Sequence, residues 1–252
     1  KAEWTPWTTL PMPPEARFFD AGAGSVQRVD LPNGDILVPI YHGAKGDKHH
    51  RVSVIRCRFD GRNLKVAEIG NELAVNDTRG LSEPSIARFG NRFYLTIRHD
   101  ERGYVTSSPD GLHFDPPTPW LWDDGSDLGN YNTQQHWVTH SDGLFLVYTR
   151  KGAKNDHVFR HRAPLFIARV DPKTLRVIRS SEQVLVPERG ARLGNFGVTD
   201  VNDRETWVTV TEWMQTWGPN FVMKPDNSYG ADNTLYVARI VWRRPNRQWN
   251  RH

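Results

Sequence analysis

Four times along this 252-residue chain an apolar, strand-like run meets a two-residue turn and is answered by a second run. The turns are Asn33-Gly34, Gly90-Asn91, Asp142-Gly143 and Asn202-Asp203, and they recur at intervals of roughly 50–60 residues. Asn, Asp and Gly tolerate positive φ, so such dipeptides close tight hairpins whose twist matches the flanking strands. A third strand-like run follows each hairpin, over residues 51–59, 103–107, 163–170 and 234–242. The first three of these lead into Asp60-Gly61, Asp110-Gly111 and Asp171-Pro172, each a turn from which a fourth strand can start. No segment carries a sustained helical period.

A hairpin, a third strand and a fourth strand every 50 residues or so is the period of a propeller blade. The sequence therefore predicts an all-β chain, a β-propeller of four-stranded antiparallel blades. A sandwich of similar hairpins is the alternative. Residues 1–24, with Trp4, Trp7, Phe18 and Phe19, are expected to supply an outer or closing strand. That gives four to five blades in one domain over residues 1–252, or a piece of a larger ring that a partner chain completes.

Ten Trp and eleven Phe supply ample core for one domain of this size. No apolar run reaches the length of a membrane span. The formal charge is +4, with Lys and Arg scattered. The one basic run, Arg243-Arg244-Pro245-Asn246-Arg247, reads as a solvated tail, and without a recognition helix no nucleic-acid partner is expected. Cys57 is alone in an alternating apolar segment and reads as core. The chain opens at Lys1 with no leader in view, which suits a processed or truncated product; a secreted or periplasmic location is the expectation.

In a propeller the innermost strand of each blade starts beside the central channel. Glu83, Gln135 with His136, and Asn195 with Phe196 should meet there. The polar run Asn130-Tyr131-Asn132-Thr133-Gln134-Gln135-His136 is costly to bury without partners, which points to a site. The loop at residues 151–162 brings His157, Arg160, His161 and Arg162, groups that transfer protons or grip carboxylates. His157 and His161 sit four apart, but outside a helix they are not expected to form a metal pair. Neither a metal nor a cofactor is expected. His49-His50 reads as exposed, and Trp213, Trp217, Phe221 and Tyr229 as core or as a sugar-stacking platform.

Glu83-Pro84-Ser85, the hairpin to Arg98, the turn Ser108-Pro109-Asp110-Gly111-Leu112-His113-Phe114 and the strand start Arg162-Ala163-Pro164-Leu165 together resemble the sialidase superfamily, whose blades carry Asp-box (BNR) turns. The resemblance implies that Glu83 activates a tyrosine nucleophile and that an arginine set, Arg98 with Arg160 or Arg162, binds a substrate carboxylate. The tyrosine would fall in Gly194-Asn195-Phe196-Gly197, where this chain has Phe196. A looser likeness runs to propeller enzymes that act on uronate-containing glycans.

The leading expectation is a glycoside hydrolase acting on an acidic oligo- or polysaccharide, uronate- or sialate-containing. Arg98 and Arg162 would hold the carboxylate, with Gln135, Arg160 and Asn195 also binding, and Glu83 and His136 would give acid/base help. Two-carboxylate hydrolysis would take its second carboxylate from Asp77, Asp156 or Glu212. One alternative is a uronate lyase using His136 and His157 with Arg160 or Arg162. The other is a glycan-binding propeller without catalysis.

Overall fold

The computed structural model describes residues 3–4, 6–216, 224–225 and 227–248. Among these the chain is nearly all β, with three single-turn 3-10 segments and no α-helix. Four antiparallel sheets form the blades of a four-bladed propeller. Blade 2 follows the predicted pattern, with Ser82–Phe89, Arg92–Arg98, Tyr104–Ser108 and the short outer strand Thr118–Pro119. Blade 3 has His136–His140, Gly143–Tyr148 and Leu165–Asp171, with Arg176–Val177 and Gln183–Val186 both pairing with the third strand.

Blade 1 departs from the predicted hairpin. Its inner strand is split into Asp20–Gly22 and Val29–Asp30, which pair with opposite ends of Asp35–Gly43. Between them the chain leaves the ladder, and Gln27 spans the channel: its amide exchanges two hydrogen bonds with the Trp137 backbone and its own N–H donates to Ser85 Oγ. Arg51–Phe59 and Leu64–Ile69 complete the blade. Blade 4 holds Phe196–Asn202, Glu205–Thr211 and Leu235–Val241, and no fourth strand follows among the described residues. Residues 243–248 return to blade 3 instead. Asn246 is buried, accepts from Ser141 N–H and donates to Thr139 C=O, so the basic stretch is pinned rather than a solvated tail.

The core lies between blade faces. Val52, Val54, Ile86, Leu95, Ile97 and Leu112 join blades 1 and 2. Trp120, Trp122, Trp137, Leu146, Tyr148 and Phe166 join blades 2 and 3. Val138, Val147, Leu165, Phe196, Val208 and Val210 join blades 3 and 4. Among the described residues no such cluster joins blade 4 to blade 1. The far face of blade 1 is covered by its own N-terminal segment, with Leu10, Met12 and Phe18 against Ile40, Ile55 and the buried Cys57, whose thiol burial pushes up. The far face of blade 4 leaves Val201, Leu235, Val237 and Val241 exposed.

The turn after the third strand of blade 2 ties itself. Ser108 Oγ accepts from the backbone N–H groups of Asp110 and Gly111, and Asp110 Oδ1 accepts from Leu112 and His113. Partial burial works to raise the Asp110 carboxyl, yet the His113 and Leu112 hydrogen bonds outweigh it and hold the group far below the usual range.

Candidate active site

The first strand of each blade runs away from one end of the channel, the second returns, and the third leaves again. Residues at or just before the starts of first and third strands, or at the ends of second strands, therefore gather at that end. Glu83, Arg98, Asn132, Arg160, Arg162 and Arg192 all occupy such positions.

A register shift between Ser82 and Ser85 breaks the blade 2 ladder and puts Glu83 in the left-handed region at φ 41°. Ser82 pairs with Arg98 across the strand, so the bulge sets the Glu83 carboxylate against that guanidinium at 2.5 Å. Asn132 is also left-handed, at φ 48°, as are Arg160 at 57° and His161 at 51°. Each such non-glycine residue costs about 1 kcal/mol or more, and clusters of them mark places where surrounding contacts impose a geometry.

Asn132 is the hub. Its Oδ1 accepts from Arg98 Nη2 at 2.6 Å and from Arg160 Nη1 at 3.4 Å, and its C=O accepts from Arg162 Nη2. Gly194 makes room for Arg162, because a Cβ there would stand 2.6 Å from Arg162 Cδ. Arg192 lies over the Trp213 ring at 3.9 Å and the Phe159 ring at 5.0 Å. Burial first, then the neighbouring Arg98 and Arg160 charges, lowers Arg162 to about 10; burial and Arg160 lower Arg192 to about 10. Arg162 is 6% exposed, and its Nε and the Nε of Arg98 are buried without hydrogen-bond partners. Guanidinia held together against mutual repulsion, with donors unspent, have the chemistry to receive an anion.

At the edge of this cluster Tyr131 Oη meets His161 Nδ1 at 2.6 Å, and His161 Nε2 meets Asp156 Oδ1 at 3.2 Å. Burial raises the Tyr131 phenol above its ordinary value, an effect that Arg160 and Arg162 offset only in part.

The predicted site residues fall into two groups. Glu83, Arg98, Arg160 and Arg162 come together as described. His136 lies beneath, 3% exposed, with Nδ1 on Ser85 Oγ at 2.8 Å and Nε2 accepting from Gln134 at 3.2 Å. Burial lowers it to about 4, so the ring is neutral in the channel wall. Gln135 faces blade 2, accepting from Thr96 Oγ1 and donating to Thr133 C=O. Asn195 is exposed at the head of blade 4. His157 stands apart from the cluster, held by Glu188 at 2.6 Å and stacked on Tyr229 at 4.0 Å.

Glu212 is buried and spent on Asp232 N–H, Thr234 N–H and Tyr236 Oη, and Asp77 is engaged by His99. His49 and His50 are half-buried against Thr78 and Asp20 rather than exposed. Trp213 stacks on Arg192; Trp217 and Phe221 lie outside the described residues. No group of three metal-ligating side chains occurs among the described residues.

Sequence reasoning missed Asn132, Arg192 and Tyr131. The polar run 130–137 signalled the first and last, but nothing distinguished which of its members turned to the mouth. Arg192 had the signal of position alone, preceding the first strand of blade 4. Farther along the channel a cavity of about 430 Å³ opens between the four inner strands, lined among others by Arg28, Asp30, Arg88, Val138 and Thr199. It contains none of the clustered arginines, and its Arg28 and Asp30 pair with each other at 3.1 Å.

No family model matches the chain, and no curated protein is similar to it in sequence. Solved structures are similar in fold. A GH43_1 enzyme from Xanthomonas citri matches at 12% identity over 73% of this chain and 64% of that one, with a TM-score of 0.51. A GH32 beta-fructofuranosidase of Bombyx mori matches at 16% identity over 89% and 48%, with a TM-score of 0.53. A Trypanosoma rangeli sialidase in complex with sialic acid matches at 15% identity over 83% and 29%, with a TM-score of 0.47. The chain thus spans less than two thirds of each of these proteins. What the likeness gives is a fold, the β-propeller found in glycoside hydrolases.

Proposed function

We propose that this protein is a carbohydrate-active enzyme, a glycoside hydrolase of propeller fold that takes an acidic glycan. The observation that carries this reading is the cluster of Arg98, Arg160 and Arg162 around Asn132, with unspent donors and Glu83 as the carboxylate acting on it. Guanidinium forks match a sugar carboxylate in a bidentate manner. In this reading Arg98 and Arg162 hold the carboxylate and Glu83 handles the proton or steers the water. His136, neutral and doubly hydrogen-bonded, braces the floor. A polymeric substrate suits a secreted or periplasmic site of action. The exposed far face of blade 4 is where a partner chain completing a larger ring would pack.

A second reading, β-elimination from a uronate, is favoured by the Tyr131–His161–Asp156 chain. His161 Nδ1 can take the phenol proton while Nε2–H donates to Asp156, leaving a phenolate that accepts the proton α to the bound carboxylate. The arginines would neutralise that carboxylate as the carbanion forms; the β C–O bond then breaks, the reprotonated Tyr131 phenol gives its proton to the departing oxygen, and His161 returns its proton to the phenolate.

The test is incubation with a panel of neutral and acidic glycans, reading both reducing-end release and the ultraviolet absorbance of an unsaturated uronate. Release without the new absorbance is the expected result. Both signals rising together would replace hydrolysis by elimination. Turnover of neutral glycans equal to that of acidic ones would remove the acidic-substrate reading.

A further inference from the structure

The arginine cluster holds more positive charge than one sugar carboxylate can balance. Arg98, Arg160 and Arg162 bring three guanidinia to one asparagine, with Arg192 close enough to Arg160 to feel its charge; Glu83 returns a single negative charge, through Arg98, and the nearby Asp100 is spent on Arg79. One bound carboxylate would still leave an uncompensated cation. The three are also not equivalent in depth. Arg162 is 6% exposed and the Arg98 side chain 11% exposed, whereas Arg160 is half-buried. The deep pair keep their buried Nε groups without partners. Arg160 makes the longest of the three bonds to Asn132, 3.4 Å, and rests on Phe159 at 5.0 Å, so most of its fork is unspent.

Even a half-buried cation is unfavourable beside like charges without a counter-charge, and the protein nevertheless positions Arg160 there on a strained left-handed backbone. We propose that the site takes a saccharide bearing two negative groups, one carboxylate held deep by Arg98 and Arg162 and a second anionic group held at the mouth by Arg160. This rests on the acidic-glycan reading above and narrows it. The second group is a carboxylate on the adjoining sugar or a sulfate ester on the same one; both present planar or tetrahedral oxygens to a guanidinium fork.

The experiment is calorimetric titration of the whole protein at low and moderate salt. The probes are a neutral disaccharide, the same disaccharide with one uronate, with two uronates, and with one O-sulfated uronate. The expected result is that at least one doubly charged probe binds about tenfold or more tighter than the single uronate. Its advantage should shrink as salt is raised. In Arg160→Met the ratio of doubly to singly charged affinity should fall to near one. The better of the two doubly charged probes identifies the second group.

Equal binding of the singly and doubly charged probes, both above the neutral one, would overturn the two-charge proposal and leave the acidic-glycan reading standing. No preference for any charged probe over the neutral one would overturn both. A doubly charged preference unchanged in Arg160→Met would overturn the assignment to Arg160. Thermal unfolding of the variant, alone and with the single-uronate probe, checks that it is folded and that the deep subsite is intact.

Discussion

Replacing Arg162 by methionine should make the empty protein more stable while abolishing its grip on acidic sugars. The side chain is buried, and its guanidinium is pushed down to about 10, well below the ordinary arginine range, by burial and by Arg98 and Arg160. At about 1.4 kcal/mol per tenfold, that gap corresponds to roughly 3 kcal/mol of unfavourable free energy. It is fully present below pH 10, where Arg162 is charged in both states, and is relieved only as pH rises through 10 toward the ordinary arginine value. Methionine keeps an apolar stem beside Gly194 and removes the charge.

Against the gain stands the Asn132 C=O, which loses its Arg162 donor at a cost of about 1–2 kcal/mol. The net expectation is stabilisation by about 1–2 kcal/mol, or a rise in Tm of roughly 2–8 °C for a chain of this length. Urea unfolding at neutral pH, fitted with a common slope, measures it; calorimetry with a uronate disaccharide measures the loss of binding. A variant less stable than the parent by more than 1 kcal/mol, with uronate binding retained, would refute the argument that Arg162 is strained for a ligand.

Four further outcomes follow from the same physics. His136, at about 4 when folded against 6.5 unfolded, should drain roughly 3 kcal/mol of stability as pH falls from 6.5 to 4, since only the unfolded chain takes the proton; urea midpoints across that range should flatten in His136→Gln. Val208→Ala, in the blade 3–4 core, should cost about 2–3 kcal/mol, whereas Val237→Ala on the uncovered face of the same sheet should stay within about 0.5 kcal/mol. Tyr131→Phe should lower turnover about 100-fold with substrate affinity retained if elimination is the chemistry, and leave rate unchanged if it is not. Asn246→Ala, which orphans Ser141 N–H and Thr139 C=O, should lower stability by about 1–3 kcal/mol in thermal melts.

Much of the architecture could be read from turn chemistry. Asn-Gly, Gly-Asn, Asp-Gly and Asn-Asp pairs mark the four hairpins, with Gly34 and Gly90 taking positive φ, whereas the turns of blades 3 and 4 fall one residue away, on Ser141-Asp142 and Asp203-Arg204, without it; the third strands follow within a residue or two of their predicted bounds. Blade 1 escaped because its inner strand is held by Gln27 side-chain bonds to Trp137, a contact between residues 110 apart that no local pattern announces. Asn246 escaped for the same reason. At the site, Arg98, Arg160 and Arg162 were legible as charged residues at strand ends. The roles of Gln135 and His136 were not, since a polar side chain in an inner strand can face the channel or the neighbouring blade, and Thr96 and Ser85 decided it. Asn132 organises the cluster through a left-handed backbone that one Asn among several does not reveal.

Blades 2 and 3 are each clamped from both sides, whereas blade 4 packs on blade 3 alone among the described residues. In a quasi-one-dimensional stack whose free energy sums over nearest neighbours, such an end unit opens first. Amide exchange should therefore be fastest along 205–211 and 235–241 and slowest along 92–98 and 143–148. Arg192 enters the cluster from the segment leading into blade 4, Arg160 and Arg162 from blade 3. An anion gripped across that junction would be a fastener for the loosest blade, so occupancy of the site should be visible as slowed exchange in strands that never touch the sugar.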